Sequence, residues 1–548
     1  MISIHRSILV PLGALALCLP LVTGCGGGSS SGSTGGGGST TTTTDMGTLT
    51  TVSSSYRYTL KSAVSSLDLG IDSASQTAGS KIVQKSDTTA GDTAWHFIPM
   101  ASGEYNVENL LTHQVMGISS ASTSAGAQVL QWADNGTNDH LWAFYLLTDG
   151  NYLIKNMNSG LYLEVANSDT ATTATIDQGA RTSSTTGCTC QEWTLSKSTT
   201  AVYPAPRTVT GTGTSVHDPM MIQDPTTHHY WLLGTHQTVA ESKDLTTFTD
   251  TTMSSAEGAC TSAEGGAWLT TLSYCPLIGP DFTSWSGLQT PLSYNNSQST
   301  DVWAPSELYA NGTYYLYYSI PYEPSTGAEA VIGLATGTTP YGPWTDKGYV
   351  VSSWTAATTT PPTTNPWGFS ASSTWNAIDP APFVDNDGNW WLVFGSWQDG
   401  THLIQLDPKT GLRLDSKSYS VAVRAAGEEG PYIYYWNGYY YYFAPINVCC
   451  SGTSSTYRTI MGRSKTVTGP YLDRGGLDLT NGGGTILVST HDNIYGPGGG
   501  SVFTDTGADG ASSLPTFVYH YYDGNNNGAP TLGINRLVFD SDGWPAIE

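Results

Sequence analysis

The chain repeats itself, and it does so with two different units. The segments YTLKSAVSSLDLGI, YNVENLLTHQVMGI and YLIKNMNSGLYLEV begin at Tyr58, Tyr105 and Tyr152, a constant offset of 47 residues that Gln84, Gln131 and Gln178 also keep. Trp95, Trp142 and Trp193 follow in the same order with one four-residue insertion. A strand-rich unit of this size cannot bury its apolar face alone, so three in tandem predict a threefold assembly, placed here at residues 53–198. Residues 199–212 read as a linker from their Pro, Thr and Gly. A second repeat follows. Aromatic strands come after turn-like starts in HHYWLLGTH (228–236), NGTYYLYYSI (311–320), GNWWLVFGSW (388–397), NGYYYYFAPI (437–446) and PTFVYHYYD (515–523). Five such units across residues 213–548 predict a five-bladed β-propeller, each blade a small twisted antiparallel sheet. With 62 Gly, 32 Tyr and only 12% charged residues, and no sustained 3.6-residue periodicity, the whole chain is expected to be all-β.

The N-terminus carries a different message. MISIHR followed by ILVPLGALALCLPLV is a charged segment and an apolar run of signal-peptide length, too short for a membrane-spanning helix. The run ends in LVTGC, which resembles a bacterial lipobox. That likeness makes residues 1–25 a lipoprotein signal peptide and Cys25 an acylated anchor, so the protein is expected to be exported and held at the cell surface or in the periplasm. Residues 26–52 are read as a linker, of which 26–44 contain only Gly, Ser and Thr. Such a tract spans roughly 25 Å as a random coil. A formal net charge of −24, with no Lys/Arg-rich run, excludes nucleic acid as a partner.

Most carboxylates sit in loops beside Gly, Asn or Ser, but three do not. Asp218 lies in SVHDPMM, Asp379 in NAIDPAPFV and Glu429 in AGEEGPYIYY, each just before a Pro and then an apolar or aromatic strand. Proline restricts the backbone beside it, so such a carboxylate is held more firmly than one in a polar loop. In a propeller the innermost strands start at the axis, and three such motifs from three blades would converge on one pocket. Glycoside hydrolysis needs a protonated carboxyl for the leaving oxygen and an ionised one for water. A third can raise the acid's pKa by repulsion. Turn capping is the alternative reading of each motif taken singly.

Two resemblances sharpen these expectations. The repeat at 53–198 resembles ricin-type β-trefoil lectins. Their Q-x-W signature stands only in the third copy, as Gln191-Glu192-Trp193, and Glu164 occupies a place held by Gly70 and Gly117 in the other copies. The resemblance implies a sugar site in the third repeat built from Glu164, Gln191 and Trp193. A purely structural trefoil with its tryptophans in the core is the alternative. The ordered set HDP, WAPSELY (303–309), NAIDP with FGSW, EGPYI and NVCCSGTSSTYRTIMGRS (447–464) is similar to glycoside hydrolase family 43 and its endo-α-1,5-L-arabinanase branch, over residues 213–548.

That second resemblance implies inverting hydrolysis of arabinan, a plant cell-wall polysaccharide, with Asp218 as general base, Glu429 as general acid and Asp379 as pKa modulator. Trp303, Asn376 and Ser396 match positions that contact arabinofuranose. Glu428 is the alternative acid, disfavoured because neighbouring strand residues face opposite ways. An exo-acting α-L-arabinofuranosidase or β-xylosidase is the alternative activity, and a non-catalytic surface carbohydrate-binding protein is the alternative of another class. No cofactor is required. Relatives often carry a His in a GPGH-like segment that helps hold a central ion, commonly calcium, whereas here the run is IYGPGGGSVF with Gly499 in that place. The expectation of calcium stays open, with His491 or His520 as substitute ligand, water as the main ligand, or no ion.

Six cysteines remain once Cys18 and Cys25 are set aside. Cys260 with Cys275, Cys188 with Cys190 and Cys449 with Cys450 are the pairs that spacing suggests.

Overall fold

The computed structural model describes residues 44–181, 187–250, 301–321, 330–353 and 374–548. Each 47-residue repeat supplies four strands, in the first Tyr58–Ser62, Asp68–Ile71, Ile82–Lys85 and Trp95–Pro99. The first and fourth strands of the three repeats pair into a closed six-stranded barrel. The middle two strands of each repeat form a hairpin against its end. Why the offset is so regular is visible in two side chains per repeat. Trp95, Trp142 and Trp193 are wholly buried, each ring N–H donating to a carbonyl, of Leu69, Met116 and Leu163 respectively, at 2.9, 3.0 and 3.1 Å. Each glutamine amide reaches across to another repeat. Gln84 donates to the carbonyls of Asp169 and Ala171, Gln131 to those of Ser75 and Thr77, and Gln178 to those of Ser122 and Ser124. No repeat satisfies its own latch, so the three are stable only together.

The second unit has the predicted five blades. Their innermost strands are Met220–Gln223, Trp303–Ala310, Ala381–Val384, Tyr432–Trp436 and Ile494–Asp505, each followed by antiparallel strands moving outward. These strands do not alternate apolar and polar residues, because both faces of every blade are covered. Period-2 geometry sends Leu232 into a cluster with Val518 and Leu532 of the fifth blade, while Trp231 and Leu233 on either side pack with Leu316 and Tyr318 of the second. The same division builds clusters between the second and third, third and fourth, and fourth and fifth blades. Each fully buried Leu or Ile contributes about 1.5–3 kcal/mol, and the cluster between the fifth and first blades closes the ring.

Both expected linkers turn out to hold structure near the fold. Thr48–Thr50, inside the linker read to residue 52, pairs with Trp142–Leu146 and adds an edge strand to the barrel. Within 199–212, Val202 and Tyr203 are buried among fourth- and fifth-blade residues, and Thr210–Gly211 runs parallel to Thr247–Asp250 as the outer strand of the first blade. Composition flagged these segments as loops, but single apolar residues and a free strand edge were enough to order them. The Cys188–Cys190 and Cys449–Cys450 disulfides are formed; Cys260 and Cys275, like Cys25, lie outside the described residues.

Candidate active site

Every innermost strand carries a residue in the left-handed backbone region, just before it in the first, third and fourth blades and within it in the second and fifth. These are Asp218 at φ 49°, Ala304 at 42°, Asp379 at 58°, Gly430 at 52° and Gly499 at 58°. In four of the five, a proline follows at once. A left-handed turn costs roughly 1–2 kcal/mol at a residue with a Cβ and is least costly for Asp, Asn and Gly. Fivefold recurrence on neighbouring blades makes it a property of the propeller axis rather than an accident of one loop. The turns bring Asp218, Asp379 and Glu429 onto one pocket of about 300 Å³. Trp303, Tyr457 and the Cys449–Cys450 disulfide complete its walls.

The three carboxylates have different surroundings. Thr235 Oγ1 donates to Asp218 Oδ2 at 2.6 Å, while the Asp218 amide donates to His520 Nδ1 at 3.1 Å. Burial raises the Asp218 pKa, opposed by the Thr235 hydroxyl and by His217 and His236. Glu429 Oε2 accepts from Ser396 Oγ at 2.8 Å. Burial, with repulsion from Asp218, pushes Glu429 up to about 7 although the Ser396 hydroxyl works the other way. Asp379 is held well above the carboxylate range by burial, then by the charges of Glu429 and Asp218, and its Oδ2 accepts from the Gly430 amide at 2.9 Å. One carboxylate thus faces donors and imidazoles, and another faces a negative charge. Burial raises all three carboxylates; at Asp218 the hydroxyl and imidazoles oppose that rise, and at Glu429 the Asp218 charge adds to it.

The remaining predicted residues divide. Trp303 is on the pocket wall, its indole N–H donating to Asp301 Oδ2 at 2.7 Å. Ser396 reaches the site through Glu429. Asn376 is half-buried three residues before Asp379 and does not join the pocket wall. Glu428 points away, buried and hydrogen-bonded to the Tyr442 hydroxyl, although it lies ahead of the Tyr432–Trp436 strand and not within it. Sequence reasoning missed Thr235, whose hydroxyl also accepts from the Ala304 amide at 2.9 Å and so ties two blades to Asp218. It carries no motif of its own. His217 was legible within HDP, and four of the five turns within the repeated X-Pro.

The departure at Gly499 has a steric explanation. A Cβ there would lie 2.6 Å from Asp218 Oδ1 and 2.7 Å from His520 Cε1, so His520 from the next strand occupies the space. His217, Asp218 and His520 form the one group with metal-binding proximity among the described residues. Calcium takes six to eight oxygen ligands. This group offers one carboxylate and two imidazoles, and the His520 Nδ1 lone pair already accepts the Asp218 amide. The side chains therefore do not fit calcium. His491, the other expected ligand, is buried elsewhere, its Nδ1 bonded to the Ser489 carbonyl at 2.7 Å and its ring 5.0 Å from that of Tyr203.

In the third trefoil repeat Gln191 Nε2 donates to Glu164 Oε2 at 2.7 Å, and Glu164 faces Asp177 across the hairpin. Burial, then the neighbouring Glu164 charge, raises Asp177 to about 6. A Cβ at Gly70 or Gly117 would meet Thr93 or His140, the residues standing where Gln191 stands, which explains why only one repeat carries the carboxylate. Trp193 corrects the sequence-based expectation. It is wholly buried and cannot touch a sugar, because its indole fills the barrel as Trp95 and Trp142 do.

The model of glycosyl hydrolases family 43 matches residues 280–545, and that of the ricin-type beta-trefoil lectin domain-like family matches 48–132 and 138–204. The chain is 40% identical over 266 residues to the extracellular endo-alpha-(1->5)-L-arabinanase 1 of Bacillus subtilis, 47% of this chain and 73% of that protein. It is 36% identical over 264 residues to a probable arabinan endo-1,5-alpha-L-arabinosidase A of Emericella nidulans, 45% and 73% of the two chains. To an extracellular exo-alpha-(1->5)-L-arabinofuranosidase of Cellvibrio japonicus it is 30% identical over 352 residues, 61% and 86% of the two. The family match starts at residue 280, so Asp218 joins the site from the blade ahead of it. Likeness at this level over most of a relative's length exceeds what a shared propeller architecture maintains, and the chain belongs to glycosyl hydrolases family 43.

Proposed function

We propose that this protein hydrolyses α-1,5-L-arabinofuranosidic bonds within arabinan by single displacement with inversion. Glu429 protonates the departing glycosidic oxygen. Asp218 takes a proton from the water that attacks the anomeric carbon on the opposite face. Asp379 lies in the same pocket, adding to the charge balance and holding the Gly430 amide beside the acid. The observation that carries this reading is the asymmetry around one pocket, with Glu429 up at about 7 beside an Asp218 served by Thr235, His217 and His236. The steps call for no cofactor. The name of the Bacillus subtilis relative supports endo action, and that of the Cellvibrio japonicus relative supports exo action as a second reading.

Linear arabinan and the purified protein decide between them. Oligosaccharide products support endo action, monosaccharide alone supports exo action, and no release of reducing ends refutes hydrolysis of this polymer. Asp218→Ala and Glu429→Gln are expected to abolish turnover. We infer in addition that the chain is exported and anchored through Cys25; two relatives are named as extracellular. Palmitate labelling that survives Cys25→Ala would refute the anchor.

A further inference from the structure

The trefoil is packed onto the strip of chain that carries Glu429. Arg458, on the third strand of the fourth blade, is wholly buried, and its Nη2 donates to Asn106 Oδ1 at 2.9 Å and to the Asp134 carboxylate. Both partners belong to the second trefoil repeat. Two residues beyond Asp134, Gly136 turns with φ 77° directly against Ala426, where a Cβ on Gly136 would lie 2.3 Å from the Ala426 Cβ. Ala426 precedes Glu429 by three residues.

The strip is held from both sides. Arg424 at its start is buried, donates to the carbonyls of Gly482 and Gly483 at 3.0 and 2.7 Å, and feels the charges of Asp134 and Glu428. On the opposite side, Gly427 lies against the Trp397 indole, and the Trp397 amide donates to the Glu428 carbonyl at 2.7 Å. Blade contacts fix one flank of residues 424–429, and the trefoil supplies the other. A propeller without the trefoil would leave Arg424 and Arg458 without their shared buried carboxylate, a costly arrangement in a low-dielectric interior.

The geometry points to a positioning role for the trefoil in hydrolysis: through Asp134 with Arg458 and through Gly136 on Ala426, its second repeat sets where the Glu429 carboxyl sits. This deepens, and rests on, the assignment of Glu429 as the acid. It makes the trefoil a working flank of the active site besides any sugar it binds. Asp134, Gly136 and Arg458 are positioning residues, because none of them lines the pocket.

The test uses the full chain and three variants. Asp134→Asn keeps size and removes charge, and Gly136→Ala pushes on Ala426. Tyr203→Phe loosens a different part of the packing, where the Tyr203 hydroxyl bonds Glu108 at 3.0 Å, away from the strip. Displacement of a catalytic group on the 1 Å scale costs up to about a hundredfold. The first two variants are therefore expected to lower kcat on arabinan by about tenfold or more, with KM within about threefold and a displaced basic limb of the pH profile. Amide hydrogen exchange should accelerate over residues 424–430. Tyr203→Phe should lower the melting temperature while leaving profile and exchange unchanged. The proposal is overturned if Asp134→Asn and Gly136→Ala behave like Tyr203→Phe, and Gly136→Ala alone decides should Asp134→Asn not fold. A wild-type chain inactive on arabinan would refute the hydrolase reading, while the exchange data would still decide the coupling.

Discussion

Glu429 is raised to about 7 by burial first, with Asp218 adding repulsion, and it is a donor only while protonated. The wild-type kcat/KM is therefore expected to fall as pH rises through about 7. Ser396 donates to the ionised form and so favours it. Removing that hydroxyl in Ser396→Ala should move the basic limb to higher pH, and a limb that stays or moves down would show that the serine is not the acid's partner. Gly499→Ala tests the other carboxylate. A methyl group there meets Asp218 and His520 at a φ of 58°, so a stability loss of about 1 kcal/mol is expected together with a fall of tenfold or more in kcat/KM, read by melting and by kinetics. The carboxylates themselves were legible because Asp-Pro and Glu-Gly-Pro before apolar strands are local patterns. Thr235 was not, since its role comes from a blade-to-blade contact that no neighbour in the chain announces.

At the level of elements, the repeat offset encoded the trefoil through its cross-repeat latches. Gln131 is wholly buried, donates to two carbonyls of the first repeat and accepts from Thr112 Oγ1 at 2.9 Å. Its replacement by Ala strands those groups and is expected to cost about 2–3 kcal/mol, measured as a lowered denaturant midpoint. A Gln114→Ala change serves as the comparison, since that side chain donates outside the threefold pattern, to Gln76 O. The blades were legible for a related reason, as five aromatic strands at similar spacing admit few closed arrangements. Of the two expected linkers, the described residues 48–50 and 199–212 hold structure that composition does not announce. Polar composition describes a segment's average, whereas Val202, Tyr203 and the Thr48–Thr50 edge needed only one receptive surface each.

Over the whole molecule, trefoil and propeller share buried charge. Glu108 of the barrel bonds His113, His96 and the Tyr203 hydroxyl. Burial would raise its pKa, but the two histidines outweigh that and bring it to about 2 from an ordinary 4.5. A depressed folded-state value means stability that is complete above 4.5 and lost as pH falls toward about 2, on the order of 3 kcal/mol in all. Glu108→Gln should melt well below wild type at pH 6, with the gap closing as pH falls to about 2; a gap independent of pH would refute the linkage. The sequence by itself determined the two repeat architectures, the carboxylate motifs and the type of chemistry, because each depends on residues near one another in the chain. Only the tertiary structure decided that His520 fills the space at Gly499, that Trp193 is core, and that Asp134 meets Arg458 across 324 positions. Those outcomes rest on distances set by packing between units, which no local pattern records.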